Sequence, residues 1–327
     1  MPTLIAIAIA GFIAQLVDGS LGMGYGVTST TLLLTLGVVP ALASASVHLA
    51  EIGTSAVSGV SHWRLGNVNG RVLLLMGVPG GVGAFLGAVV LSNLSLDAAR
   101  PMVSLVLLAL GGVIVVRFLH GRRVAAARAA LEAEAAAANA SGTGPTTPAS
   151  APALAPSARA PRRSRRWALV PLGLVGGFLD ASGGGGWGPV TTSSLMAASR
   201  MQPRKIIGTV SGSEFIVSLA ASAGFLLSLG TAGIDMGIVA MMLLGGAIAA
   251  PLSAWLVSKL NDQALGTGVG GLIVFLNIDR VLTLLGIDPS IGLALRVVVV
   301  TLSAILVAWL FLRNRSRAVP AAGSQPV

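Results

Sequence analysis

Residues 13–34 read IAQLVDGSLGMGYGVTSTTLLL, an apolar run that stops at Asp18 and resumes after Gly26. Four of the nine residues 18–26 are glycine. Glycine populates backbone conformations that other residues avoid, and it lets the backbone approach a ligand or another segment closely. The stretch therefore predicts a helix that is broken in the middle of a hydrophobic segment.

A second stretch repeats this pattern. Residues 173–196 read GLVGGFLDASGGGGWGPVTTSSLM. Aligning Asp18 with Asp180 also matches Gly11, Ser20, Gly22, Gly24, Gly26, Thr30 and Leu33 with Gly173, Ser182, Gly184, Gly186, Gly188, Thr192 and Leu195. The chain is thus an internal repeat, and each half carries one broken segment. We call residues 18–26 the first glycine knot and residues 180–188 the second glycine knot.

The composition places this repeat in a membrane. Of the 327 residues, 54% are hydrophobic and only 10% are charged, and the mean hydropathy is +0.87. A soluble domain has about 25% charged residues, so the chain is a polytopic membrane protein. It has no cysteine, which excludes disulfides, thiol catalysis and thiolate metal sites. The net charge of +10 reflects basic flanks of apolar segments, and no nucleic-acid partner is expected.

The apolar segments predict an all-α protein of two transmembrane repeats. The first repeat, residues 1–119, has segments at 3–17, 24–37, 41–63, 70–91 and 98–119. The second, residues 167–312, has segments at 167–180, 188–199, 204–228, 233–258, 262–285 and 290–312. Residues 120–166 are an Ala/Pro/Arg-rich linker that begins with good helix formers and continues with a composition typical of disorder. Residues 313–327 form a basic tail that we also expect to be disordered.

Charge predicts the orientation of the segments. A cytoplasmic linker puts 18 of the 21 Lys and Arg residues in the cytoplasm, as the positive-inside rule requires. The short pair that opens each half either crosses the membrane twice or forms a re-entrant hairpin. Both cases give the first half an odd number of crossings, so the two halves are inverted. Secondary transporters have this architecture, with the substrate site where the broken helices meet near the bilayer midplane. The alternative is that the glycines serve only close helix packing.

Two glutamates lie at matching positions in the middle of apolar segments. Glu51 and Glu214 are 163 residues apart, against 162 for Asp18 and Asp180. An ionisable residue at the bilayer centre costs about 2.5–3.5 kcal/mol and predicts a function. Helical spacing adds a polar stripe to each segment: Ser44, His48, Ser55, Ser58 and His62 around Glu51, and Ser211, Ser218 and Ser222 around Glu214. We predict that Glu51, its neighbour His48 and Glu214 carry coupling protons. The alternative is that the stripes only hold helices together.

The two glycine knots predict an anion site. Asp18 and Asp180 end the first half-segments, where a carboxylate caps exposed amides. If the next half-helices start near Gly24 and Gly186, their free N–H groups and positive dipole ends face the break and attract an anion. The predicted substrate-binding residues are the glycines Gly22, Gly24, Gly184 and Gly186, and the donors Ser20, Tyr25, Thr28, Ser182, Trp187 and Thr191.

The two knots, with their flanks, read GFIAQLVDGSLGMGYG and GLVGGFLDASGGGGWG. Each knot is followed by an apolar stretch with a polar middle and then by a loop that ends in Leu-Gly. In these features the chain resembles the sulfite exporter (TauE/SafE) family, which is also grouped with toluene-sulfonate uptake permeases. The resemblance spans residues 4–119 and 167–312; the long linker is unusual for it. It implies transport of a small anion (sulfite, a sulfonate, thiosulfate or a short carboxylate) across the plasma membrane, coupled to the proton gradient. We expect no enzyme activity, cofactor or metal, and the partners are the anion, protons and lipid, with homo-oligomerisation left open. A membrane-embedded assembly or binding protein and a passive anion channel are the alternatives.

Overall fold

The computed structural model describes residues 4–21, 23–140, 168–199, 201, 203–230, 234–257, 262–287 and 289–315. Within these ranges the backbone forms helices and no strand, as predicted for an all-α membrane protein. Gly22 of the first glycine knot, residues 141–166 of the linker and residues 316–327 of the tail lie outside them.

Each predicted segment corresponds to a helix. The first half contains α1 (Leu4–Leu21), α2 (Tyr25–Thr35), α3 (Pro40–Arg64), α4 (Gly70–Asn93) and α5 (Leu96–Ala140). The second half contains α6 (Leu169–Gly183), a π-helical turn (Gly188–Thr192), α7 (Ser193–Ala198), α8 (Pro203–Leu229), α9 (Met236–Val257), α10 (Asp262–Leu284) and α11 (Pro289–Arg315). Helix α5 continues to Ala140, so the helix formers at the start of the linker do extend the preceding helix.

Several helices have membrane length. Four of those described are long and apolar enough to cross a bilayer: Gly70–Asn93, Leu96–Phe118, Lys205–Leu229 and Thr267–Leu284. Shorter apolar helices cover Leu4–Asp18, Leu169–Gly183, Met236–Ala249 and Ile291–Leu306. Helix α3 is not among them because its polar stripe lowers its hydropathy. That stripe is turned into the protein: Ser44, His48, Glu51 and Ser55 are at most 3% exposed.

The two halves interlock. Helix α1 packs mainly on α9, and its repeat counterpart α6 packs mainly on α4, the counterpart of α9. Helices α3 and α8, which match each other in the repeat, pack together, and so do α5 and α10. Each of these pairs joins the two halves, which is the pattern that a two-fold relation produces. The opposite orientation of the halves in a membrane stays a prediction.

Two matching glycines of the repeat have close helix packing as their only role. A Cβ added at Gly11 would lie 2.5 Å from the carbonyl oxygen of Met242 in α9, and one added at Gly173 would lie 2.2 Å from that of Met76 in α4. Small residues allow such close approach of helices. The packing alternative therefore explains these two glycines, which lie outside the knots.

Candidate functional site

Both glycine knots break the helix through left-handed backbone. Gly24 immediately precedes α2 with a φ of 108°, and Gly184 immediately follows α6 with a φ of 74°. Residues with a Cβ rarely adopt such angles, whereas glycine does so readily. Helical backbone restarts at Tyr25 in the first knot and at Trp187 in the second. The predicted restart points near Gly24 and Gly186 are therefore confirmed.

The two knots touch through their backbones. A Cβ added at Gly185 would lie 2.1 Å from the amide nitrogen of Val27, and one added at Gly26 would lie 2.7 Å from the Cα of Gly185. The hydroxyl of Thr30 donates a hydrogen bond to the carbonyl of Gly184. The broken segments thus meet, as the repeat predicts, while their depth in the bilayer stays a prediction.

The amides at both breaks are capped by the aspartates. Oδ1 of Asp180 accepts hydrogen bonds from the amides of Gly186 at 2.6 Å and Trp187 at 2.9 Å. In the first knot, Oδ1 of Asp18 accepts one from the amide of Tyr25 at 3.3 Å. The predicted capping role is confirmed, but the prediction of free N–H groups is wrong for these three amides. A carboxylate already occupies the position where an anion would bind.

His48 binds a different partner from the one its position on α3 predicts. Its Nε2 lies 3.2 Å from Oδ2 of Asp180, in α6, and its Nδ1 lies 2.8 Å from the carbonyl oxygen of Ser44. His48 is fully buried, and Asp180 is 2% exposed. The expected direct partnership of His48 with Glu51 is therefore replaced by a pair across the two halves. Asp180 is a site residue that sequence reasoning assigned only to capping.

Glu51 lies beside the contact between the knots. Its Oε2 accepts a hydrogen bond from Ser218 of α8 at 3.3 Å, and its Oε1 would lie 3.0 Å from a Cβ added at Gly26. Glu51 is 2% exposed, whereas Glu214 is half-buried. The carboxyl groups of Asp18, Asp180 and Glu214 are close enough to Glu51 to repel it electrostatically. The structure thus gathers the two predicted glutamates and both knot aspartates into one acidic cluster.

The predicted donors fall into two groups. The hydroxyls of Tyr25 and Thr28 are buried and have no hydrogen-bond partner among the described residues. Trp187 donates its indole N–H to the carbonyl of Val210, and Ser182 and Thr191 donate to carbonyls of Phe178 and Trp187. The second group is therefore already satisfied within the protein. The side chain of Ser20 lies outside the described part of the chain.

Arg117 is a residue that sequence reasoning missed. Its Nη1 donates to the sulfur of Met23, in the first knot, at 2.8 Å and to the hydroxyl of Ser193, at the start of α7, at 3.2 Å. The charge pattern groups Arg117 with the basic linker. Helix α5 instead brings its guanidinium beside the restarts of both broken segments.

The polar atoms of three buried side chains converge. Those of His48, Glu51 and Asp180 all lie within 4.8 Å of one another. This spacing would also admit a cation. However, His48 and Asp180 already face each other at hydrogen-bonding distance, and Glu51 accepts from Ser218. We therefore assign no metal ligands among the three.

A cavity leads toward this cluster. Its volume is about 380 Å³, and it lies between α3, α4 and α8. The lining is mostly apolar and runs along α3 from Ser55 to Trp63, opposite Leu73 of α4 and Phe215 of α8. The Ser55 hydroxyl donates to the backbone carbonyl of Glu51 one helical turn away. The inner end of the cavity, at Ser55, thus lies one helical turn from Glu51.

Comparison with known proteins identifies the family of this chain. The profile of the family described as Sulfite exporter TauE/SafE matches residues 7–279. The "Probable membrane transporter protein YtnM" of Bacillus subtilis (strain 168) is 46% identical over 277 residues, which cover 85% of this chain and 82% of that protein. No solved structure matches this chain significantly. The chain therefore belongs to the sulfite exporter TauE/SafE family and is a membrane transporter, not an enzyme.

Proposed function

We propose that this transporter carries a small anion through the contact between its two glycine knots and couples that movement to protons. The candidate substrates are sulfite, a sulfonate, thiosulfate and a short carboxylate. The family name supports a sulfur oxyanion.

The proposal depends on one observation: carboxylates accept hydrogen bonds from the backbone amides of both knots. Oδ1 of Asp18 and Oδ1 of Asp180 accept from the first amides of the restarted segments, those of Tyr25 and Trp187. A second anion cannot approach the same amides without strong repulsion: two unit charges at about 4 Å cost about 4 kcal/mol at an effective dielectric constant of about 20. Protonation of the acidic cluster removes this repulsion. Anion binding and proton binding should therefore be favourable together.

Two further features support an anion at this point. The hydroxyls of Tyr25 and Thr28 are buried without partners, and a buried donor that lacks an acceptor costs about 1–3 kcal/mol. An oxyanion would satisfy both. The guanidinium of Arg117, beside Met23, supplies positive charge at the same break.

The cavity beside Ser55 provides a route. With the predicted orientation, the Trp63 end of α3 faces the cytoplasm, and the inner end of the cavity reaches the turn that carries Glu51. On this proposal the cavity is the part of the pathway that joins the acidic cluster to the cytoplasmic side. Alternating access would close this cavity and open the cluster to the other side.

Glu51→Gln tests the proposal. Glutamine keeps an oxygen that accepts from Ser218 and loses the titratable carboxyl, so folding should remain near normal. In proteoliposomes loaded with labelled sulfite, the variant should lose the acceleration that an imposed pH gradient gives the native protein. Glu214→Gln should behave similarly. Asp97→Asn, which neutralises an exposed carboxylate in the first turn of α5, is the matched control and should keep the acceleration.

The opposite outcome identifies the competing function. If both glutamine variants keep full gradient-driven flux, the acidic cluster does not carry the coupling protons, and a passive anion channel becomes the better description. If the native protein moves no sulfite, the same assay with a sulfonate, thiosulfate and a short carboxylate decides among the remaining substrates.

A further inference from the structure

We infer that His48 and Asp180 hold one shared proton, in addition to any proton on Glu51, and that this proton fastens α3 to the second glycine knot. The role of this proton in transport rests on the proposed function. Its presence rests on hydrogen-bond geometry alone.

The position of Nδ1 fixes the state of the imidazole. Nδ1 of His48 lies 2.8 Å from the carbonyl oxygen of Ser44. A carbonyl oxygen only accepts, so Nδ1 must carry a hydrogen. The hydroxyl of Ser44 lies farther away, at 3.4 Å, and donates its own hydrogen to the carbonyl of Ala181 at 2.7 Å. A neutral His48 therefore has a lone pair, and no hydrogen, on Nε2.

That lone pair faces a carboxylate oxygen. Nε2 lies 3.2 Å from Oδ2 of Asp180. Two acceptors repel at this distance, whereas one proton between them makes a charge-assisted hydrogen bond. The proton formally resides on either atom, as imidazolium with carboxylate or as imidazole with carboxylic acid. In both descriptions the pair contains one proton more than a neutral histidine beside an ionised aspartate.

The surroundings hold the pair in this geometry. The second oxygen of Asp180 is fixed by the amides of Gly186 and Trp187. The ring of Phe225, from α8, lies 6.0 Å from the imidazole, centroid to centroid.

The ionisable groups around the pair are acidic. Glu51 of α3 and Glu214 of α8 both interact electrostatically with Asp180, and Asp18 of α1 and the Tyr25 phenol of α2 interact electrostatically with Glu51. Among the described residues, Arg117 brings a cation to the knots, where it contacts Met23 and Ser193.

Loss of the proton would release the contact between the halves. The bare Nε2 and the ionised Oδ2 would then face each other without a hydrogen, which pushes α3 away from the second knot. Only a proton is released in this step, and no other covalent bond breaks. The transporter thus has two separate proton sites, Glu51 and the His48–Asp180 pair, and the second is also a latch between the repeats.

Asp180→Asn provides a close mimic of the protonated pair. The asparagine oxygen accepts from the same two amides, and its nitrogen donates to the bare Nε2, so each hydrogen bond remains without a titratable proton. The purified full-length variant should fold. On this inference the native fold binds one proton more than the unfolded chain at alkaline pH, so native stability falls as pH rises. The Asp180→Asn variant should lose the part of this pH-dependent decrease in stability that comes from the shared proton.

Two controls accompany this measurement. Glu51→Gln leaves the pair intact and should keep the pair's share of the pH dependence. His48→Gln, whose amide donates to Oδ2 of Asp180, should lose it as Asp180→Asn does. The inference is overturned if thermal unfolding of Asp180→Asn and of His48→Gln follows the native pH dependence. It is also overturned if neither variant folds, because each variant retains a hydrogen bond between positions 48 and 180.

Flux separates this inference from the proposed function. With one coupling proton fewer, Asp180→Asn should accumulate labelled sulfite about tenfold less for each pH unit of gradient. If the native protein shows no proton coupling but the stability difference is present, the proposed function fails and the shared proton stands as a structural latch. Loss of native stability on chelation, restored by Zn²⁺ or Mn²⁺, would show a bound metal in place of the proton and overturn the inference.

Discussion

Replacing Gly185 by alanine should force the two glycine knots apart. The new Cβ would lie 2.1 Å from the amide nitrogen of Val27 and 2.2 Å from the carbonyl carbon of Gly26. Carbon atoms pack best at about 3.5–4.0 Å, so the segments must separate by more than about 1 Å. Neither neighbour is a side chain that can rotate away. Overpacking costs about 1–3 kcal/mol, and the φ of 138° at Gly185 adds about 1–3 kcal/mol for a residue with a Cβ.

Gly66→Ala is the matched control for this change. Gly66 has a φ of 68°, but a Cβ added there meets no atom within 4 Å. Only the backbone term of about 1–2 kcal/mol then applies. Thermal unfolding in detergent should show a larger loss of stability for the Gly185 variant, and sulfite flux in proteoliposomes should fall only in that variant. If the two variants unfold at the same temperature, the knots are not in contact, and the site built on their contact fails.

Two further predictions concern the substrate and the orientation. Tyr25→Phe removes a buried hydroxyl that has no partner among the described residues. The variant should therefore unfold at the same or a slightly higher temperature. Its KM for labelled sulfite should rise about three- to tenfold, as expected for the loss of one hydrogen bond to the substrate. An unchanged KM would remove Tyr25 from the substrate site. Single cysteines at Ser141 and Ser324 should resist membrane-impermeant thiol reagents in intact cells, because the linker and the tail are predicted to be cytoplasmic; labelling of either one without permeabilisation would contradict the orientation.

The positions of the helices and breaks were predictable because their causes are local. Hydrophobic length and glycine clusters act within one segment, and the restarts at Tyr25 and Trp187 follow from them directly. The polar stripe of α3 was also predictable, since helical spacing alone places Ser44, His48 and Glu51 on one face.

The partners across the site were not predictable. Spacing along α3 associates His48 with Glu51, but the hydrogen bond goes to Asp180, 132 residues away. That contact depends on how the two halves interlock, which no local pattern encodes. The same applies to Arg117, whose guanidinium reaches the knots because α5 passes beside both. Capping by the aspartates was predicted, but its consequence was not: a carboxylate that caps an amide also occupies the anion position.

The repeat is least symmetric where the chemistry is concentrated. Among the described residues, Asp180 accepts from two amides, at 2.6 and 2.9 Å, and pairs with His48, whereas Asp18 accepts from one amide at 3.3 Å. The residue that matches His48 at the offset of the two glutamates is Ser211, so the second half supplies no imidazole for Asp18. On the proposed function, an anion would displace the Asp18 carboxylate at lower cost than that of Asp180, and the unpartnered hydroxyls of Tyr25 and Thr28 belong to the segment that restarts after the first knot. On the proposed function, the first knot binds the anion and the second holds the proton, and their backbone contact lets each respond to the other.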